Sequence, residues 1–243
     1  LNIPPSPGDS GAAIGAAYYG FINKKNESSD NFISKNNILN NLFPGQQKSN
    51  EDFFELAFDK IADNKTSLVK AAELIAGNEI VATCYGNIET GPRALGHRSL
   101  ICNAHNFDLI KKLSTEIKKR NLFRPTAPAV LKKNAEKYFY LENSLKNCYL
   151  HMATTATPKE ENSKDIKGVI HVDNSSRIQI CDETQLLGKI LMNLDKYNIY
   201  LIANTSFNVS SDPMVYVKED AFLAAERMNI RYLLTETGLF AKK

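Results

Sequence analysis

Two arginines stand in a glycine-rich stretch of the sequence, GNIETGPRALGHRSL, at positions 86–100. Arg93 and Arg98 alternate there with Gly91 and Gly96, residues that permit positive φ and a close approach of the backbone to a ligand. A guanidinium group offers a planar fork of hydrogen-bond donors that suits phosphate or carboxylate. The stretch therefore indicates an anion-binding loop, although the residues alone leave open a structural loop with surface arginines.

A second basic stretch, KKRNLFRPTAP, covers positions 118–128. Cations near a helix C-terminus are common for reasons of the helix dipole alone, and we expect Lys119 to point to water. Arg124 differs because Pro125 biases it toward an extended conformation, which fixes the direction of its side chain. Lys118 and Arg124 are therefore further candidates for phosphate binding.

A third stretch, ANTSFN at positions 203–208, follows an apolar run that is typical of a strand. Asn204, Ser206 and Asn208 alternate, so they are predicted to face one side of an extended strand end. Their hydroxyl and amide groups can bind a phosphate or a nucleotide without adding charge. Turn capping is the alternative that the residues leave open.

The elements that must position these stretches are predicted from hydrophobic periodicity and turn residues. Small residues at 11–19 predict a tightly packed helix capped by Asp9 or Ser10. Further helices are predicted at 68–75, 107–117, 186–194 and 220–228. Strands are predicted at 80–85, 168–172, 177–180 and 200–204, with one more inside 232–240. This alternation indicates an α/β or mixed α+β sheet with flanking helices.

Composition excludes several classes of protein. The 243 residues are 43% hydrophobic and 23% charged, which is typical of a globular chain. A net charge of only +3 argues against a non-specific nucleic-acid coat or a polybasic membrane anchor. No apolar run of about 18 residues occurs, so no membrane span is predicted.

The cysteines and histidines are scattered. The four cysteines form no CxxC pair, so we expect free buried thiols and a cytoplasmic protein. His97 is predicted to be a hydrogen-bonding loop residue and not a metal ligand, because no second ligand lies at a suitable spacing. Since the sequence starts at Leu1, without an initiator methionine, we expect it to be part of a longer protein.

The chain resembles the O-carbamoyltransferases that act on nodulation factors, cephems and aminoglycosides. The resemblance lies in five stretches that have the order and spacing of that family: PGDSGAAIGAA, GNIETGPRALGHRSL, KKRNLFRPTAP, HVDNSSRIQ and NTSFN. That family combines an N-terminal, metal-binding ASKHA-type domain with a C-terminal YrdC-like domain, which makes carbamoyl-adenylate from carbamoyl phosphate and ATP. The resemblance implies a tail of the first domain at 1–22, a linker at 23–62 and a YrdC-like domain at 63–243. The implied fold is an open twisted sheet with flanking helices.

The resemblance also implies roles for individual residues, which are expected to line one cleft. Arg93 and Arg98 would hold carbamoyl phosphate. The residues that would hold the phosphates and the nucleotide are Lys118, Arg124, Arg177, Asn204, Ser206 and Asn208. ATP would enter with Mg²⁺. Asp9 matches an acidic metal ligand of the ASKHA-type site, so iron or a similar divalent metal is expected only with the N-terminal domain.

The sequence departs from the family pattern near these cations while keeping the cations themselves. The departures are Asn87, His97, Asn121, Thr126, Ser211 and Asp212. The hydroxylated acceptor stays open among a nodulation glycolipid, an antibiotic and a surface polysaccharide. Two rival hypotheses are an RNA-binding, tRNA-modification module and an inert fragment that needs its other domain. Nucleic acid is not the expected partner, because aromatic residues are not interleaved with the basic ones.

Overall fold

The computed structural model describes residues 9–25, 57–89, 91, 93–121, 123–124, 126–141, 153–210 and 212–243. The helices are α1 (Asp9–Lys25), α2 (Ser67–Ala76), α3 (Phe107–Lys112), α4 (Lys132–Tyr138), α5 (Glu160–Ser163), α6 (Leu186–Leu194) and α7 (Lys218–Arg227). A π-helical turn, Leu113–Ile117, continues α3, and 3-10 turns occur at Lys167–Val169 and Asp195–Tyr197. The strands are β1 (Phe58–Asp63), β2 (Val81–Cys84), β3 (Arg98–Asn103), β4 (Ala127–Leu131), β5 (Phe139–Tyr140), β6 (Ala153–Pro158), β7 (Ser176–Cys181), β8 (Leu201–Ser206), β9 (Tyr232–Thr235) and β10 (Gly238–Lys242).

The described strands form one sheet in the order β1-β10-β9-β2-β3-β8-β4-β7-β6-β5. The pairs β2/β9 and β4/β7 are parallel, and the other neighbours are antiparallel. Because β8 runs antiparallel to both β3 and β4, its C-terminal end lies beside the start of β3, β4 and β7. The three stretches singled out above therefore meet at one end of the sheet.

Helices cover both faces of the sheet, and each face has its own core. Leu100 and Cys102 of β3 belong to the core under α3, α4 and α7, whereas Ile101 belongs to the core under α2 and α6. This division follows from the alternation of side chains along a strand. Ile190 of α6 and Ile75 of α2 are both fully buried against the second face.

The predicted mixed α+β sheet is confirmed, and so is the helix at 186–194. The strand predicted at 168–172 is wrong, because a 3-10 turn occupies Lys167–Val169. The apolar residues there follow a turn-like spacing: Ile166 and Val169 are fully buried, whereas Val172 is 89% exposed. The last predicted strand is in fact two strands, β9 and β10, joined by a tight hairpin turn.

Strand β1 lies in the segment that the sequence indicated as a linker. It pairs with β10, from Phe58 opposite Lys242 to Asp63 opposite Gly238, so residues 58–62 belong to the sheet. Its burial pattern leaves most side chains exposed, and for that reason the sequence carried little strand signal. The rest of the proposed linker from residue 26 to 56 lies outside the described residues.

Helix α1 includes the helix predicted at 11–19. Its Tyr19 ring is 73% exposed, and Ala12, Ala13 and Ala16 are exposed as well. The side chain of Asp9 lies outside what the structure describes, so its assignment as a metal ligand stays a prediction. No helix in the described ranges is both long and apolar enough to cross a membrane.

Three cysteines, Cys84, Cys102 and Cys181, are free and buried in β2, β3 and β7. Burial raises the pKa of each thiol to about 12. The predicted free buried thiols are confirmed for these three, whereas Cys148 lies outside the described residues.

Candidate functional site

A polar pocket of about 240 Å³ opens at the end of the sheet where β8 stops and β4 and β7 begin. We call it the arginine pocket. Its lining residues come from the glycine-rich loop, the basic stretch and strands β4, β7 and β8: Arg93, Ala94, Arg120, Arg124, Ala127, Arg177, Gln179, Asn204, Thr205 and Ser206. Four of these are arginines, and none is a carboxylate.

The electrostatics of the arginine pocket favour an anion. Burial lowers the pKa of Arg177, and the charges of Arg93, Arg120 and Arg124 lower it further. The Nε atom of Arg177 is buried and has no hydrogen-bond partner in the described part of the chain. Like charges held together with unused donors are stabilised by a bound anion, which relieves both the repulsion and the missing hydrogen bond.

Arg120 is a site residue that the sequence analysis missed. Its Nη1 donates to Thr205 Oγ1 at 3.2 Å, and its Nη2 lies 3.5 Å from Ser206 Oγ. The chain turns at Lys119, whose φ is +48°, and this turn sends Arg120 toward the pocket. Because lysine rarely adopts a positive φ, the sequence gives no turn signal at this position, and Arg120 looks like one more cation at a helix end.

A second basic depression, of about 330 Å³, adjoins the arginine pocket and shares Arg120 and Arg124 with it. Its remaining lining residues are Lys118, Lys119, Asn121, Asn208 and Ser210. Arg124 and Lys119 are exposed, whereas Lys118 is only 2% exposed. The shared arginines make the two depressions one continuous cationic surface.

The ammonium of Lys118 is held by hydrogen bonds within the protein. Its Nζ donates to the carbonyl oxygens of Ser206 at 2.8 Å and Asn208 at 2.7 Å, and to Asn208 Oδ1 at 2.7 Å. Ser206 Oγ donates to the same Oδ1 at 2.7 Å. An ammonium has three donors, so Lys118 has none left for a ligand in this arrangement. Burial, with the Arg120 charge second, lowers its pKa to about 7.

Arg98 lies outside both depressions, and the expectation that it lines the cleft needs correction. It is fully buried, and its guanidinium donates to the carbonyl oxygens of Tyr85, Gly86, His97 and Tyr216 at 2.9–3.2 Å. The reason is strand register. Arg98 shares a face of β3 with Leu100, whereas Asn204 shares a face of β8 with Ile202 in the opposite core.

The glycine-rich loop is fixed by its own buried polar groups. Glu89 Oε1 accepts hydrogen bonds from the backbone N–H groups of Leu95 at 2.8 Å and Arg98 at 3.2 Å. Gly96 has a φ of +119°, and a Cβ added there would lie 2.5 Å from Leu187 Cγ in α6. A glycine is therefore required at this position, where the loop packs against α6 and carries Arg93 to the pocket.

His97 acts as a hydrogen-bonding loop residue. Its Nδ1 lies 2.7 Å from the carbonyl oxygen of Asn87, and burial lowers its pKa. Across the part of the chain that the structure describes, no three His, Cys, Asp or Glu side chains are grouped as metal ligands would be.

The structure thus brings most of the predicted site residues together. Arg93, Arg124, Arg177, Asn204 and Ser206 line the arginine pocket. Lys118 and Asn208 line the adjoining depression. Arg98 supports the loop from the other face of the sheet.

Comparison with protein families gives one match over most of the chain. The family described as carbamoyltransferase C-terminus matches residues 72–242, which include both depressions.

Similar sequences occur in bacteria and archaea. The chain is 30% identical over 273 residues to an uncharacterized protein of Synechocystis sp., covering 99% of this chain and 43% of that protein. It is 33% identical over 256 residues to an uncharacterized protein of Methanocaldococcus jannaschii, covering 100% and 40%. It is 31% identical over 213 residues to nodulation protein U of Azorhizobium caulinodans, covering 85% and 34%. The chain thus spans about two fifths or less of the length of these relatives.

Solved structures with a similar fold include two of HypF. HypF of T. kodakarensis has a TM-score of 0.55 at 21% identity, covering 69% of this chain and 20% of that one. Full-length HypF in its phosphate- and nucleotide-bound form has a TM-score of 0.52 at 21% identity, covering 66% and 23%. Sua5 of P. abyssi complexed with L-threonine has a TM-score of 0.50 at 16% identity, covering 70% and 46%. The fold is therefore the YrdC-like mixed sheet.

Proposed function

Since the chain belongs to the carbamoyltransferase C-terminus family, we propose that its arginine pocket binds carbamoyl phosphate and ATP and forms carbamoyl-adenylate. The observation that carries the proposal is the convergence of four arginines on one pocket, with no carboxylate among its described lining residues. The match of residues 72–242 to the carbamoyltransferase C-terminus family supports the same reaction class.

The physical problem in this reaction is to bring two anions together. Carbamoyl phosphate and ATP repel each other, and the repulsion grows in a cleft of low dielectric. Fixed guanidinium groups offset it and stabilise charge that moves during phosphoryl chemistry. No side-chain nucleophile is needed, because positioning of the reactants supplies much of the rate. Mg²⁺ would enter with the ATP phosphates and not through protein carboxylates.

The two depressions suggest a separate binding position for each reactant. Carbamoyl phosphate would lie near Arg93 and Arg177, and the ATP phosphates would lie over Arg120 and Arg124 toward the second depression. A carbamate oxygen would attack the α-phosphorus of ATP and pyrophosphate would leave, while one water would be consumed as carbamoyl phosphate loses its phosphate. Lys118 and Asn208 would hold the floor of the nucleotide site in place.

Transfer to an acceptor hydroxyl would need an N-terminal ASKHA-type domain of the same protein, with Asp9 contributing to its iron or similar divalent metal. The reaction would take place in the cytoplasm, where ATP and carbamoyl phosphate are made. We therefore expect this chain to make carbamoyl-adenylate and to carbamoylate no alcohol by itself. Carbamoylation of an added alcohol by this chain alone would contradict the proposal that the N-terminal domain is needed for the transfer.

The test is release of pyrophosphate from ATP and Mg²⁺ that depends on carbamoyl phosphate. Arg177→Ala should abolish the release, whereas Lys119→Ala, which removes an exposed cation at the second depression, should reduce it by less than about fivefold. Absence of carbamoyl-phosphate-dependent release in the unmodified chain, with folding verified, would refute the proposal.

The rival hypothesis of an RNA-binding module receives less support from the site. No aromatic side chain is among the described lining residues of the arginine pocket or the second depression, so neither depression offers a platform for base stacking. Tight, salt-dependent binding of tRNA together with no response to carbamoyl phosphate would favour that hypothesis.

A further inference from the structure

Two amide side chains form the floor of the arginine pocket, and β4 makes their contact possible. Asn204 of β8 lies opposite Ala127 of β4, and Gln179 of β7 lies opposite Ala129 of the same strand. The methyl side chains of β4 leave room above the strand. The amides therefore meet across it, with Asn204 Nδ2 donating to Gln179 Oε1 at 2.9 Å.

The orientation of both amides is fixed by backbone carbonyls of the glycine-rich loop. Gln179 Nε2 donates to the carbonyl oxygen of Leu95 at 3.0 Å, and Asn204 Nδ2 donates to that of Ala94 at 3.0 Å. Carbonyl oxygens only accept hydrogen bonds, so a reversed amide would place oxygen against oxygen. Both N–H bonds of Asn204 are consequently used inside the protein, and its Oδ1 is left as an acceptor.

That acceptor has no donor within the described residues. Asn204 is only 5% exposed, and its Oδ1 is buried without a hydrogen-bond partner. An unpaired buried acceptor is unfavourable and is rare outside functional sites. Because Asn204 lines the arginine pocket, a ligand bound there can supply the missing hydrogen once the exposed arginine side chains adjust.

We propose that Asn204 Oδ1 accepts a hydrogen bond from the amino group of carbamoyl phosphate and so selects a carbamoyl over an acetyl group. This inference rests on the proposed function of the pocket. Guanidinium groups can only donate, so the arginines bind the phosphate and carbonyl oxygens of either compound alike. The amino group is the one part of carbamoyl phosphate that needs an acceptor, and a methyl group in its place leaves Asn204 unpaired.

Neighbouring residues on β7 complete the recognition. Arg177 shares a face of β7 with Gln179, and its buried Nε has no partner in the described part of the chain, so it can donate to an oxygen of the same ligand. Gln179 is a positioning residue, because it prevents the Asn204 amide from rotating. The pocket thus presents donors for an anion beside one fixed acceptor.

The experiment measures binding of carbamoyl phosphate, acetyl phosphate and inorganic phosphate to this chain by titration calorimetry. We expect the unmodified chain to prefer carbamoyl over acetyl phosphate by about tenfold or more, as sites that hydrogen-bond a polar group reject analogues without it. Asn204→Ala should bring the two affinities within about threefold of each other while the affinity for inorganic phosphate changes less than about threefold. Gln179→Met should also reduce the preference and leave inorganic phosphate binding in place.

A matched control is Asn193→Ala, because Asn193 lies on α6 and donates to its own helix at Lys189. It should leave the preference unchanged. Equal affinities of the unmodified chain for the two acyl phosphates overturn the inference even if the Asn204 variant does not fold. If carbamoyl-phosphate-dependent pyrophosphate release persists with no preference, only the inference fails. If no phosphate compound binds, the proposed function fails with it.

Discussion

The side chain of Lys118 binds Asn208 twice, through the carbonyl oxygen and Oδ1, each at 2.7 Å, although the residues are 90 positions apart in the sequence. A third hydrogen bond reaches the carbonyl oxygen of Ser206. The π-helical turn that ends near Lys118 is thereby tied to the end of β8. Lys118 acts as a clamp that holds Ser206 and Asn208 in position.

Anion binding should change the protonation of this clamp. Burial lowers the pKa of Lys118 from 10.5 to about 7, so as the pH of the free protein rises through this range the ammonium loses a proton and with it one of its three hydrogen-bond donors. An anion at Arg120 and Arg124 favours the ammonium and raises the pKa, so the complex binds more protons than the free protein. We expect ATP binding near pH 8 to take up as much as about one proton, and the affinity to fall as the pH rises from about 7 to 9.

Calorimetry of ATP binding in buffers with different ionisation enthalpies measures this proton uptake. Lys118→Arg keeps a permanent charge at the position and should remove the pH dependence between pH 7 and 9. Proton release on binding, or equal uptake in Lys118→Arg, would contradict the assignment.

Arg93 and Arg98 belong to the same glycine-rich stretch, but replacing Arg98 should lower stability, whereas replacing Arg93 should lower phosphate affinity. Arg98→Met leaves carbonyl oxygens unpaired in a buried site and should lower the free energy of unfolding by about 3–5 kcal/mol. Arg93→Met removes an exposed cation, so stability should change by less than about 1 kcal/mol, while phosphate affinity falls about tenfold. Urea denaturation and phosphate titration of both variants check the pair, and equal loss of stability in both would count against it.

We expect the loss of phosphate affinity on replacing a cation of this surface to be larger the more that cation is buried. Arg177 is half-buried and Arg124 is exposed, so we expect Arg177→Ala to weaken phosphate binding by about 30-fold or more. Arg124→Ala should lose less than Arg177→Ala, and Lys119→Ala less than about fivefold. Arg177→Lys should recover little, because an ammonium lacks the two-point geometry of guanidinium. Equal losses in Arg177→Ala and Lys119→Ala would indicate a diffuse basic surface.

Gly96→Ala should damage the loop more than a small surface change would. The new methyl group would meet Leu187 in α6, and alanine would be forced to a φ of +119°. We expect a loss of about 2 kcal/mol or more in stability, together with weaker phosphate binding through displaced Arg93. Thermal unfolding and phosphate titration measure both effects. An unchanged melting temperature would show that the loop does not need this conformation.

The sequence predicted those parts of the fold whose side chains follow a clear period. Helix α6 is an example, since its buried residues repeat at helical spacing, and strand β8 was predicted from an apolar run whose residues 201–204 are all buried. Strand β3 was missed because it begins at Arg98, a buried arginine that resembles a ligand-binding one. The residue type alone cannot distinguish an arginine that donates to backbone carbonyls from one that faces a pocket.

The site residues show the same limit. Arg177 and Asn204 lie in the pocket as expected, but Arg120 and Gln179 were not anticipated. Gln179 depends on a neighbour two strands away, across alanines of β4. Contacts of this kind follow from sheet order, which local periodicity does not specify.

The buried thiols of β2, β3 and β7 offer a chemical readout of motion in the sheet that carries the pocket. With pKa values raised to about 12, Cys84, Cys102 and Cys181 present almost no thiolate to an alkylating reagent at neutral pH. Their labelling must therefore wait for local opening of the sheet. The rate of labelling at each thiol reports how often its strand separates, and a ligand that ties the loop to β8 should slow it.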